Sequence, residues 1–349
     1  MGESDNLFEQ QRANLRRSRI LVACFIVFFA WLGFGGDLVW YLQTRGADAD
    51  AYHHVIPWVG ALLSTLGAGL AWHAWRTGPD KVLWSTGATE ITGSSDPANR
   101  RLMNVVEEMA LASGLPRPRV WIVPDDDPNA FATGHDERTA NIAVTRGLLE
   151  TCTRDELQAV IAHELGHVKN LDVRLTTLLA ALVGAVALVG DGAWRMMRSG
   201  TRVGIGGGGG RGKGRDSKGG GGGPLVLVLL AVWLVSWLVA PFVIRLLALG
   251  VSRKREYLAD AMSAQFTRNP LALATALEKI ELATAPTASV KRGSAHLCIA
   301  DPLGKASSSR TGKLADLVGT HPPMTDRITR LRAMGYAPTA AAGQMTPAS

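Results

Sequence analysis

Residues 153–172 read TRDELQAVIAHELGHVKNLD, and their spacing sets a conformation before any chemistry is considered. Thr153 is followed three residues later by Glu156, the capping-box spacing that opens a helix. Leu157, Val160, Ile161 and Val168 then supply an apolar stripe at helical period. On a helix begun at Thr153, His163 and His167 are four apart and lie one turn above each other on the same face. Two imidazoles so placed can share one metal ion at about 2.0–2.1 Å. Glu164 lies to the side of that face, within reach of a water at the metal. An electrophile, a polarised water and a neighbouring base are what a hydrolytic metal site requires. The rival reading is an amphipathic helix with two structural histidines, and the pentapeptide alone admits both.

A catalytic zinc usually takes three protein ligands, so a third must be found elsewhere. The candidate lies in VSRKREYLADAMSAQF, residues 251–266, where Glu256 and Asp260 are again four apart. Glu256 would bind the metal while Asp260 accepts a hydrogen bond from a ligand imidazole. The alternative is an exposed helix, salt-bridged through Arg253, Lys254 and Arg255. Position favours the ligand. His167 precedes one apolar block and Glu256 follows another, so a helical hairpin brings the two ends together.

Those blocks are part of a pattern along the whole chain. Of 349 residues, 47% are hydrophobic and only 19% charged, and the apolar residues concentrate at 19–42, 55–72, 175–190 and 224–244. The first block matches a hydrocarbon layer of about 30 Å and is too long for a cleaved signal peptide. Arg12, Arg16, Arg17 and Arg19 precede the first pair, and Arg76 and Lys81 follow it, with only Arg45 between. By the positive-inside rule both ends of this pair face the cytoplasm. Basic residues in the Gly-rich linker between the second pair run against the same rule, which leaves open whether the block at 175–190 crosses or is re-entrant. The net charge of +7 comes without any interleaving of aromatic and basic residues, so membrane flanks rather than nucleic acid account for it. Cys24, Cys152 and Cys298 are too few and too far apart for a disulfide framework or a thiolate zinc cage.

The chain therefore divides into a basic N-terminal segment (1–18), a transmembrane hairpin (19–75) and a first catalytic part (76–174). A second hydrophobic hairpin (175–249) follows, with the linker at 200–223, then a second catalytic part (250–337) and a disordered tail (338–349). Within the first catalytic part, residues 96–114 have helical periodicity ending at Gly114, and 119–124 read as a strand. NAFATGHDERTANIAV, residues 129–144, gives two short strands around a polar turn at 134–138.

Four matches, NAFATG (129–134), HELGHVKNLD (163–172), EYLAD (256–260) and THPPMTDRITRL (320–331), occur in this order with the two apolar pairs. In these the sequence resembles the HtpX heat-shock proteases, membrane gluzincins related to the CaaX prenyl proteases. The resemblance covers most of the chain. It implies a mostly α integral membrane protein with a zincin-like helical catalytic domain, a small β-sheet and about four transmembrane or membrane-associated helices. One zinc ion per chain would be held by His163, His167 and Glu256, with Glu164 as the base. The strand Asn129, Ala130, Phe131, Ala132 and Thr133 would line the substrate groove, since an edge strand can pair with an extended peptide. The plainer alternative is an edge strand covered by a loop. His321 and Arg327 match the family's late His-Pro segment. His321 is either a donor to the developing oxyanion or a structural residue of its turn, and Arg327 pairs with a carboxylate such as Asp260. The other histidines, His53, His54, His73, His135 and His296, have no ligand spacing.

The function implied is hydrolysis of peptide bonds in polypeptide substrates, chiefly misfolded or damaged membrane proteins, in a bacterial-type inner membrane. The catalytic domain would be cytoplasmic, the bilayer and the substrate the partners, and nucleic acid none. A CaaX-type processing protease would need a large intramembrane chamber, which four spans are too few to enclose. A non-catalytic zinc scaffold leaves Glu164 without a role. The long Gly-rich linker departs from the compact second hairpin of the family, and the oligomeric state is open.

Overall fold

The structure, a computed structural model, describes residues 7–44, 53–93, 95–184, 253–283, 297–299 and 322–336. These fall into two compact units. One holds residues 7–18, 77–181 and the described residues from 253 on, and the other holds 19–76 and 182–184. The described part of the first apolar pair lies mainly in the second unit, whereas residues 175–181 of the third block lie with the motifs. Residues 7–18 are not a separate basic segment. They are the first turns of helix α1, Leu7–Thr44, and belong to the motif-bearing unit because Gln11 and Asn14 hydrogen-bond into it.

In the apolar unit, α1 meets α2, Trp58–Ser85, through small residues. A Cβ on Gly33 would come within 2.7 Å of Gly60 Cα, so only glycine permits this approach. Asp37 is buried here. Its carboxylate accepts from the backbone N–H groups of Val59 (3.2 Å) and Gly60 (2.5 Å), among the orphan donors that open α2. His54 Nε2 lies 2.5 Å from the same carboxylate, and its ring stacks on Trp40. Among the described residues, Phe8–Leu42 is the one helical stretch long and apolar enough to cross a membrane. The block expected at 175–190 is helical as far as it is described, within α6 (residues 172–184). The block at 224–244, the Gly-rich linker, His321 and the tail lie outside the described residues.

The motif-bearing unit is a four-stranded sheet beside a helical layer. Strands β1 (Thr89–Glu90), β2 (Arg119–Val123), β3 (Ala130–Thr133) and β4 (Asn141–Thr145) are ordered β1-β2-β4-β3. Only β2 and β4 run parallel, and the hairpin β3–β4 carries the NAFATG motif to one end of the sheet. Its turn is held by Asp136, which accepts from the N–H groups of Arg138 and Thr139. Helix α3, Pro97–Ser113, starts at the Asp96 cap and stops at Gly114, whose φ of 72° is left-handed. A short helix, α4 (Arg146–Thr151), then leads to α5, Arg154–Lys169. Helices α7 (Arg253–Thr267), α8 (Pro270–Leu282) and α9 (Met324–Tyr336) complete the unit.

Helix α5 is the central element, packed by α3, α7, α8 and β3. Leu157, Val160, Ile161, Leu165 and Val168 are buried in the main core, so the stripe read from sequence does face inward. The Thr153–Glu156 capping box is formed, and Glu156 also bonds Lys279 Nζ of α8 at 2.7 Å. Burial works against the Glu156 charge, but Lys279 and the Thr153 N–H outweigh it and hold the carboxyl below its ordinary range. A carboxyl lowered on folding stabilises the protein above its ordinary range and loses that contribution as pH falls through the folded value. Glu156→Ala should cost about 1–2 kcal/mol at pH 7 and less in acid, read as a shift in the thermal midpoint.

Candidate metal and catalytic centre

His163 and His167 sit in the second half of α5, and Glu256 opens α7. Two features let these helices approach. A Cβ on Gly166 would meet Ala259 Cα at 3.2 Å, so the glycine between the two histidines lets α7 close in. Ser263 Oγ donates to Ala159 O at 2.7 Å and fixes the register of the pair. The exposed, salt-bridged alternative for α7 fails, because Arg255, Glu256 and Asp260 are all buried.

The three candidate ligands converge. His163 Nε2 and His167 Nε2 are 3.2 Å apart, and the Glu256 oxygens lie 3.8 Å and 3.5 Å from them respectively. Two ligands on a tetrahedral zinc, each at about 2.0–2.1 Å, stand roughly 3.3 Å from one another. The spacing therefore suits a single ion of that size.

The other imidazole nitrogens decide what faces the centre. His163 Nδ1 lies 3.0 Å from Asp260 Oδ1, and His167 Nδ1 lies 3.0 Å from Asp172 Oδ2. A carboxylate can only accept, so each Nδ1 carries the proton and each Nε2 presents a lone pair. Two lone pairs and a carboxylate facing one point suit a cation; Arg327 NH2, 3.4 Å from His163 Nε2, supplies part of that positive charge from one side. Burial opposes a charge on His167, yet Glu256, Asp172 and Glu164 outweigh it and raise its pKa to about 9. His163 is pushed the other way, by burial foremost.

Glu164 points elsewhere, as its place on the helix requires. It is buried, its Oε1 has no hydrogen-bond partner among the described residues, and it lines a small pocket with His167, Glu256 and Ala132. Burial pushes its carboxyl up to about 7, against the pull of His167 and Arg327 and a hydrogen bond from the Ala132 backbone. A carboxyl poised near neutrality can both take and return a proton.

Arg327, from α9, is wholly buried beneath the centre. Its Nε and NH2 grip the two oxygens of Asp260 at 3.0 Å and 2.8 Å, and NH1 reaches Ile299 O at 3.1 Å and Glu256 Oε2 at 3.5 Å. The pairing of Arg327 with Asp260 is thus formed, across 67 residues of sequence.

Strand β3 is an edge strand by sheet order, but Asn129, Ala130, Phe131, Ala132 and Thr133 are all buried. Part of its outer edge is taken by the chain itself. Phe131 bridges Cys298, and Ile299 N–H donates to Ala130 O at 3.0 Å. Of the five, Ala132 lines the pocket beside Glu164.

Asp172 escaped the sequence reading although it ends the HELGHVKNLD stretch. Leu171 takes a left-handed φ of 57° after α5, which turns the chain so that Asp172 begins the next helix under His167. That turn is unusual for a leucine and carries no composition signal. The usable sign was an acidic residue five positions after the second histidine.

Comparison with known proteins adds to this geometry. The profile described as peptidase family M48 matches residues 97–335. The chain is 35% identical over 328 residues to the protease HtpX homologue of Streptococcus gordonii, covering 94% of this chain and 100% of that one. It is 41% identical over 252 residues to the protease HtpX homologue of Tropheryma whipplei (strain TW08/27), covering 72% and 77% respectively. The crystal structure of S. mikatae Ste24p aligns over 85% of this chain and 62% of that one at 16% identity, with a TM-score of 0.40, too loose to bear on the fold.

Proposed function

The chain belongs to peptidase family M48, and from that premise we propose that it is a membrane-bound zinc endopeptidase whose single metal is held by His163, His167 and Glu256. The observation that carries the ligand set is the convergence of two imidazole Nε2 atoms and one carboxylate, with both Nδ1 atoms 3.0 Å from carboxylate oxygens. Bound there, zinc would polarise the scissile carbonyl and acidify the attacking water. Glu164 takes the proton from that water through its unpartnered Oε1 and returns it to the leaving amine. Asp260 and Asp172 fix the tautomers and ring planes of the two histidines, and Arg327 pairs with both Asp260 and Glu256.

The substrate backbone extends the sheet along β3 at Ala132, beyond the stretch that Cys298 and Ile299 occupy. An extended chain added there runs past Glu164 and the ligand cluster. The substrates are damaged or misfolded membrane proteins, and the motif-bearing unit faces the cytoplasm, as the basic residues flanking the first apolar pair indicate.

The test uses the full chain purified in detergent. Wild type should carry close to one zinc per chain and cleave an unfolded protein such as casein, with loss on chelation. Glu256→Ala should lose both metal and cleavage, because two neutral imidazoles alone hold zinc weakly. Cleavage that survives complete removal of the metal would end the proposal.

A further inference from the structure

The foot of α1 reaches the metal centre. Gln11, Asn14 and Ser18 repeat at three and four residues and so share one face of α1, and the side chains of Asn14 and Ser18 are almost wholly buried. Gln11 Nε2 donates to Lys169 O at 2.6 Å, and Asn14 Nδ2 donates to Asn170 O at 3.0 Å. Both acceptors lie at the C-terminal end of α5, where carbonyls lack intrahelical partners. Amides from a second helix therefore close the end of the helix that carries the histidines.

Asn14 does more than close that end. The same Nδ2 lies 2.7 Å from Asp172 Oδ1, and Asp172 Oδ2 lies 3.0 Å from His167 Nδ1. Arg255 NH1 approaches Asp172 Oδ1 at 3.4 Å from α7. One oxygen of Asp172 is thus held by Asn14 and Arg255, which leaves the other to receive the His167 proton. Fixing the first oxygen fixes the carboxylate plane, and that plane sets the angle at which His167 presents Nε2 to Glu256. The contact from Asn14 is the shorter of the two and is made by a neutral amide, so it orients the carboxylate without cancelling its charge.

Resting on the zinc reading above, we propose that Asn14 is a positioning residue of the metal centre, acting through Asp172 on His167. It stands on the same continuous helix as the apolar stretch Phe8–Leu42. A helix long enough to cross a bilayer then supplies one of the groups that align a metal ligand, and its first turns are part of the enzyme rather than a tether.

The test measures zinc dissociation constants of the full-length protein by competition with a chelator, well below the melting temperature. Loss of a group that orients a ligand typically weakens metal binding 10–100-fold, and Asn14, one bond further out, should fall near tenfold in Asn14→Leu. Gln11→Leu is the control, since it removes a bond to the same helix end without touching Asp172. It should lower the melting temperature yet leave zinc affinity within about twofold of wild type. Asn14→Asp, which sets two carboxylates 2.7 Å apart, should bind zinc more weakly than Asn14→Leu. Combining it with Asp172→Asn restores one donor and one carboxylate and should recover affinity over either single variant. Wild-type zinc affinity in Asn14→Leu, or an equal loss in Gln11→Leu, would overturn the proposal while leaving the zinc reading intact. Wild-type protein that binds no zinc would remove both.

Discussion

Glu164→Gln should keep its zinc and lose its proteolysis. The substitution preserves size and shape, and Glu164 is not among the three converging ligands. What it removes is an oxygen able to carry a proton. Groups that transfer protons in the transition state contribute about 10²–10⁴-fold, so cleavage should fall at least that far while metal content stays near one per chain. His163→Ala should instead lose both, because a coordination bond is gone. The same Gln substitution should act in the opposite direction on the stability of metal-stripped protein. Burial raises the Glu164 carboxyl to about 7, and a carboxyl raised on folding costs stability as pH climbs from its ordinary value toward the folded one. Metal-stripped Glu164→Gln should therefore melt above metal-stripped wild type at pH 8, with no difference at pH 4. A Glu164→Gln protein that cleaves at the wild-type rate would show that the proton goes elsewhere.

Arg327→Met should be the most damaging single change to the folded protein. The guanidinium is fully buried and holds both oxygens of Asp260, the Ile299 carbonyl and one oxygen of Glu256. Methionine fills much of the volume but leaves two buried carboxylates without their cation. Breaking a buried pair from one side typically costs about 3–5 kcal/mol. Burial opposes the charge on Asp260, yet Arg327 and His163 hold its carboxyl at about 2, below its ordinary 3.8. That contribution is complete above pH 4 and is lost as the pH falls toward 2. The gap between wild type and Arg327→Met should therefore be wide at pH 7 and narrow in acid, measured as melting temperatures. Zinc content should fall as well, because Asp260 no longer has a fixed plane on which to orient His163. Arg327→Lys keeps the charge without the fork and should recover only part of the loss. A melting temperature and zinc content unchanged in Arg327→Met would mean that the buried network is not what holds α9 to the centre.

The sequence by itself determined everything that is local. The Thr153–Glu156 box, the stripe of α5 and the placement of His163 and His167 on one face with Glu164 beside them follow from helical geometry over a few residues. The hairpin β3–β4 and the ends of α3 at Asp96 and Gly114 are set by turn and capping chemistry of the same short range. The first apolar helix was legible because a span is a matter of length and composition. The family was legible because several short motifs in fixed order are far more specific than any one.

The tertiary structure decided which of two readings each distant residue takes. Glu256 and Asp260 taken by themselves read as a surface ladder; Gly166 lets α7 lie against α5, and both are buried. Strand β3 is an edge by sheet order, yet Cys298 and Ile299, more than 160 residues later, take part of that edge. Asp172 depends on a left-handed leucine, and Asn14 on the first turns of α1, which the sequence presents as a separate basic segment. For Glu256, Asp260, strand β3 and Asn14 the physical reason is common. A contact between residues far apart in sequence is fixed by how closely two backbones can approach, and that distance is set by packing rather than by any periodicity along the chain.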